Sequence, residues 1–94
     1  MVQIGKQDGA TTLILNRPAQ RNAIDADVID GLIQAIEEAE ADSATRCLVI
    51  RGAGGNFCAG RDLTKSPERS LASALAADET WTKVNRLLYR MNKP

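Results

Sequence analysis

The chemistry-bearing residues of this chain concentrate in one glycine-rich stretch, Gly52-Ala53-Gly54-Gly55-Asn56-Phe57-Cys58-Ala59-Gly60-Arg61-Asp62. Glycines let a backbone come close to a ligand, and the N–H groups of such a loop can converge on one oxygen. Two phosphate-binding patterns fail here. A dinucleotide fingerprint begun at Gly52 finds Gly54 in place but Phe57 where the third glycine belongs. A phosphate loop begun at Gly55 finds Gly60, then Arg61 and Asp62 in place of Lys and Ser/Thr; an aspartate there would press an anion toward the phosphates. Taken alone, Gly52 to Gly55 is better read as a tight turn leaving a strand. Cys58 reads as a small core filler, because a nucleophilic thiol needs a base and none is near it in the sequence.

Composition narrows the remaining chemistry. The 94 residues carry 12 Lys+Arg, 12 Asp+Glu and no His. Charge neutrality argues against a nucleic-acid binder or a membrane-surface module, either of which needs a basic excess or patch. Without imidazole, neither a Ser-His-Asp triad nor a His-ligated zinc can be built from this chain alone, and no metal site is expected. The apolar share is 44%, yet much of it is alanine and the aromatics are one Trp, one Tyr and one Phe, so the core is thin for a chain of this size. Two cysteines do not make a disulfide scaffold, and no stretch has the apolar length of a membrane span or the pattern of a signal peptide. The expected setting is soluble and cytoplasmic.

These groups need elements to hold them. Val2 and Ile4, a turn at Gln7-Asp8-Gly9, and Thr11 to Leu15 predict a β-hairpin, closed by Pro18, which cannot donate to a ladder. Ile29, Leu32, Ile33 and Ile36 at helical spacing predict an amphipathic helix over 26–41, with Asp25 as its N-cap. Gly31 inside it costs about 1 kcal/mol against alanine. The acidic residues near its C-terminal end oppose the helix dipole, so tertiary packing must hold it. Cys47-Leu48-Val49-Ile50 reads as a buried strand, which makes the middle of the chain a βαβ unit with the glycine-rich loop at the carboxyl end of a parallel strand. From Thr64 to about Ala77 a loop with one or two helical turns near its end is expected. A last helix from about Asp78 to Met91 follows, with Trp81, Val84, Leu87, Leu88 and Met91 on one face. Trp81 and Tyr89 read as core and interface residues of that helix.

Leu15-Asn16-Arg17-Pro18 followed by Arg21-Asn22-Ala23-Ile24, and then Asn56-Phe57-Cys58-Ala59-Gly60-Arg61-Asp62-Leu63, closely resembles the crotonase family, the enoyl-CoA hydratase/isomerase superfamily. The two motifs stand in the family's order and separation, and the resemblance runs from about Ile4 to Pro94. It implies an α/β fold, the ββα superhelix, of which residues 1–94 would be the N-terminal portion: hairpin, βαβ unit, glycine-rich loop and C-terminal helix. It implies acyl-CoA thioesters as substrates and enolate stabilisation by two backbone N–H groups, with coenzyme A entering as part of the substrate and no separate cofactor.

Carried onto this sequence, the resemblance makes the Arg61 N–H the first oxyanion donor. It gives coenzyme A contacts to Arg21, Ala23, Ala59, Gly60, Asp62 and Leu63. Arg suits a phosphate because its planar fork binds bidentately, although Arg21 is equally read as a solvated loop cation. The Arg61 side chain either reaches a phosphate or acyl group or points to solvent, and Asp62 is read as capping the following turn. The family's second donor and its acid/base carboxylates match no residue here, so the 94 residues alone are expected to be inactive. The resemblance further implies a homo-oligomer, a trimer or dimer of trimers. The alternatives are a non-catalytic module that binds coenzyme A or packs on a partner, and, resting only on the Gly55-to-Gly60 spacing, a phosphate-loop nucleotide binder.

Overall fold

In a computed structural model, which describes residues 1–61 and 71–94 (71–78 as helical backbone), the chain starts with strand β1, Val2–Gln7, and strand β2, Ala10–Leu15. They form an antiparallel hairpin in which Gln7 pairs with Ala10 around Asp8 and Gly9, at φ +52° and +83°. Both positive angles are those of the type I′ turn that the Asp-Gly pair predicts. The Arg46 guanidinium lies over Gly9 and donates to the Asp8 carbonyl at 3.2 Å, tying the turn to the far end of the next crossover.

Helix α1, Ala26–Ala41, has the bounds expected, and Asp25 caps it: the carboxylate accepts from the Val28 N–H at 2.9 Å. Strand β3, Cys47–Gly52, then pairs parallel with β2, with Ala10 opposite Cys47 and Leu15 opposite Gly52, giving the sheet order β1-β2-β3. The βαβ expectation is met. The core is Leu13, Leu15, Ile24, Val28, Leu32, Ala35, Ile36 and Val84.

Four expectations are corrected. The buried stripe of α1 is Val28, Leu32, Ala35, Ile36 and Ala39, so it is rotated from the one read through Ile29 and Ile33, which are only partly buried. Small Ala35 and Ala39 are buried in that stripe, and at Gly31 a Cβ would stand 3.2 Å from the Val2 Cγ2, so the helix passes close over β1. The strand read as buried is only half so. Leu48 and Ile50 pack on the core while Val49 is 43% exposed, because β3 is an edge strand with one covered face. The last helix, α2, spans Leu71–Arg90, starting seven residues before the expected position; the rest of the expected loop, 64–70, lies outside the described residues. Helix α2 packs on α1 through Val84, Leu87 and Leu88. Trp81 and Tyr89 are not core residues of this chain, being 41% and 92% exposed.

The C-terminal end of α1 is satisfied from a distance. Lys93 donates from its Nζ to the carbonyls of Ala39, Glu40 and Asp42 at 2.9, 2.9 and 2.8 Å. An ammonium has three protons, and here each meets a carbonyl, two of them among the last four that a helix leaves unpaired. It also supplies the cation that the acidic end of α1 lacks. Lys93→Met should therefore lower stability by about 1.5–3 kcal/mol, the worth of hydrogen bonds to a charged group, read as a fall in the urea midpoint. An unchanged midpoint would discard the clamp.

Asp42, just past α1, is held by Lys6 Nζ at 3.0 Å, the Ala44 N–H at 3.0 Å and the Thr45 hydroxyl at 2.9 Å. With Thr45 directing its proton to Asp42, Thr11 is the donor in the buried hydroxyl pair Thr11–Thr45, at 2.7 Å. The bond from Lys6, then those from Ala44 and Thr45, draw the Asp42 pKa from 3.8 down to about 2. A depressed carboxylate pKa contributes stability above its unfolded value, so this contribution is whole above pH 3.8 and lost as pH falls toward about 2. In acid titrations followed by circular dichroism, Lys6→Gln should flatten the loss of stability across that window, and added salt should do so in part.

Candidate functional site

Two loops leave the carboxyl ends of the parallel pair β2 and β3, where open α/β sheets hold ligands. The first, residues 16–25, begins with a short 3-10 turn, Pro18–Gln20, and then places Arg21 and Asn22 at φ +53° and +58°. Two successive left-handed residues turn the chain sharply, a conformation asparagine tolerates better than most residues. The second, residues 53–61, starts where the Ala53 N–H donates to the Leu15 carbonyl at 2.9 Å, extending the strand pairing by one step.

The loops are joined backbone to backbone. The Ala59 N–H donates to the Arg21 carbonyl at 3.0 Å, and the Ile24 N–H donates to the Gly60 carbonyl at 2.7 Å within a parallel bridge between Ile24 and Arg61. In extended chain, the carbonyl of one residue and the N–H of the next lie on opposite sides. With the Gly60 carbonyl on Ile24, the Arg61 N–H therefore faces the other way. Gly60 holds φ +99°, a region closed to most side chains, and its own N–H is directed at the Cys58 Sγ at 3.3 Å.

The site residues expected from the sequence fall into three groups. Arg21, Ala23, Ala59, Gly60 and Arg61 come together at this junction, with Arg21, Ala59, Gly60 and Arg61 exposed and Ala23 half-buried. The side chains of Arg21 and Arg61 are thus open to solvent or to a ligand. Asp62 and Leu63 lie outside the described residues. Cys58 is half-buried against the core as expected, with the added part of accepting from Gly60.

The residue the sequence did not single out is Asn22. It is 1% exposed, its Oδ1 accepts from the Arg17 N–H at 2.9 Å, and its Nδ2 donates to the carbonyls of Ala53 and Asn56 at 2.9 and 2.8 Å. An asparagine amid a loop of arginines is an ordinary polar residue until its partners, 31 and 34 positions on, are known. Beneath it, the buried Arg17 guanidinium lies 3.7 Å from the Asp25 carboxylate and also donates to the Ala23 carbonyl, which fixes the floor of the first loop.

Among the described residues of the two loops Asp25 is the one carboxylate, and it is engaged with Val28 and Arg17. No cluster of three or more metal-ligating side chains occurs among the described residues. None of the helices searched there is long and apolar enough to cross a membrane. A groove of about 350 Å³ between the helices, lined by Asp30, Ile33, Gln34, Glu37, Glu38 and Lys83, contains no residue of either loop. Its three carboxylates against one ammonium would repel an anionic ligand.

Known proteins resemble this chain in sequence and fold. The chain is 39% identical over 62 residues to enoyl-CoA hydratase EchA19 of Mycobacterium tuberculosis, covering 65% of this chain and 23% of that protein. It is 34% identical over 91 residues to 2,3-dehydroadipyl-CoA hydratase of Escherichia coli, covering 97% of this chain and 35% of that one. The chain thus spans about a quarter to a third of the length of these curated relatives. Among solved structures, an enoyl-CoA hydratase of Mycobacterium smegmatis superposes with a TM-score of 0.93 at 28% identity, over 99% of this chain and 37% of that one. A sequence model described as enoyl-CoA hydratase/isomerase matches residues 5–94. With both loops and strands β2 and β3 beneath them inside that match, the chain belongs to the enoyl-CoA hydratase/isomerase family.

Proposed function

We propose that this chain supplies one half of the active site of an acyl-CoA-processing enzyme, a hydratase or isomerase acting through a thioester enolate. The Arg61 N–H is the first oxyanion donor in this reading. Support comes from one geometric fact: the bridge to Ile24 engages the Gly60 carbonyl and turns the Arg61 N–H away from it, at the carboxyl end of the parallel strands. A backbone N–H held in place before the reaction costs no reorganisation when negative charge develops on the thioester oxygen, and one such donor is worth about 10²–10³ in rate.

Coenzyme A lies along the exposed junction in the same reading. Ala23, Ala59, Gly60, Asp62 and Leu63 contact its adenine and pantetheine, and the exposed Arg21 guanidinium meets its phosphates. No cofactor is needed beyond the coenzyme A carried by the substrate. The complete enzyme is a cytoplasmic homo-oligomer. Among the described residues of the two loops the one carboxylate, Asp25, is engaged; in this reading the second donor and the acid/base carboxylates are not supplied by these loops.

That same observation favours a second reading, a module that binds coenzyme A without turnover. One experiment separates the two. The protein carrying this chain is titrated with an enoyl-CoA thioester by calorimetry, and loss of the conjugated thioester is followed in the ultraviolet. Binding with turnover supports the enzyme, binding alone the module, and neither removes both.

A further inference from the structure

The carboxamide of Asn22 bonds both loops of the site. Three of its four hydrogen-bonding positions are used: Oδ1 accepts from the Arg17 N–H, and Nδ2 donates to the carbonyls of Ala53 and Asn56. Its orientation is fixed by these partners, because a flipped amide would set an oxygen against two carbonyls and an NH2 against an N–H. The left-handed backbone at Arg21 and Asn22 is what turns this side chain inward, away from solvent. Beyond Asn56 the second loop is held again at Cys58, which packs against the core, and at Ala59 and Gly60, by the backbone bonds to Arg21 and Ile24.

We infer that Asn22 is a positioning residue for the Arg61 N–H. Its two donated bonds anchor residues 53–56 to the first loop and so set the height at which residues 57–61 cross Ile24. This rests on the reading of Arg61 as an oxyanion donor. Side chains of similar size cannot replace it. Aspartate keeps the acceptor for Arg17 but turns a carboxylate on two carbonyls, and leucine keeps the volume and loses all three bonds. Glutamine is one methylene longer where the packing is already close: a Cβ added at Gly52 would stand 2.7 Å from the Nδ2.

The test uses the intact protein and Asn22→Asp. Coenzyme A titration counts competent sites, turnover of an enoyl-CoA thioester is expressed per site, and the infrared band of the bound thioester carbonyl reports polarisation by the donors. The expected result is a fall of about 10²-fold in kcat per site, the size of a misplacement near 1 Å. Coenzyme A affinity should change by no more than about threefold and the carbonyl band should move back toward its free position. If Asn22→Asp does not fold, Asn22→Ser, where water can fill the vacated space, carries the same comparison. A folded variant with fewer sites or a lower melting temperature but unchanged kcat per site and an unshifted band overturns the inference, since Asn22 would then serve stability alone. Failure of the underlying reading looks different: the unmodified protein would bind and convert no acyl-CoA, and the inference would fall with it.

Discussion

Gly52→Ala is expected to lower turnover of an enoyl-CoA thioester by about two to three orders of magnitude, the scale of losing one oxyanion donor. The cause is close approach rather than backbone angle. A Cβ at Gly52 would fall well inside 3.0 Å of the carbonyl oxygens of Asn56 and Phe57, both backbone atoms, and 2.7 Å from the Asn22 Nδ2. Backbone cannot swing aside as a side chain does, so the second loop must lift from the first and carry Gly60 and Arg61 with it. The strain should also cost about 1–3 kcal/mol of stability, measurable by denaturation whether or not the site is catalytic. Gly55→Ala is the matching control, because nothing lies within 4 Å of its Cβ position. Near-equal melting and turnover of the two variants would show that the loop tolerates the displacement.

The second large effect is at the floor of the site. Asp25→Ala should cost about 3–5 kcal/mol, the usual penalty for removing one member of a buried ion pair. Its carboxylate does two jobs: it caps α1 through Val28 and faces the Arg17 guanidinium, with the two side chains only 5% and 9% exposed. Asp25→Asn separates them. Asparagine caps about as well as aspartate, so this variant should recover roughly the 1 kcal/mol that a cap is worth while still removing the negative charge that faces the guanidinium. Against a whole-domain stability of about 5–15 kcal/mol, and with a core this short of large side chains, the alanine variant should be substantially unfolded in mild urea. Equal midpoints for alanine and asparagine would assign the whole effect to the ion pair.

Several elements could be read without a structure because their causes are local. The Asp8-Gly9 turn, the Asp25 cap and the bounds of α1 depend on residues within four positions of one another. The parallel crossover follows from a strand, a helix and a strand in succession. The paired motifs around Arg21 and Gly60 carried the family, and the family match now includes them. Where sequence reasoning went astray, the cause was a partner not adjacent in the chain. The β-branched run around Val49 suggests burial but says nothing of which sheet face is covered. Helical periodicity points Trp81 to the core but cannot tell where α2 stops touching α1. The helical turns expected around Ser70 to Ala77 are continuous with the last helix, which the Ser- and Ala-rich composition of that stretch does not reveal.

The sequence by itself therefore determined which elements form and which chemistry the loops belong to, since hydrophobic period, turn residues and motif spacing are local quantities. Tertiary structure alone decided how those loops are held. Asn22 reaches 31 and 34 positions along the chain, and Lys93 reaches back more than 50 to close α1. Neither residue type is unusual where it stands. Each acquires its role only when folding brings distant, partly buried backbone carbonyls within reach of its donors, and a carbonyl shut off from water is costly to leave without one.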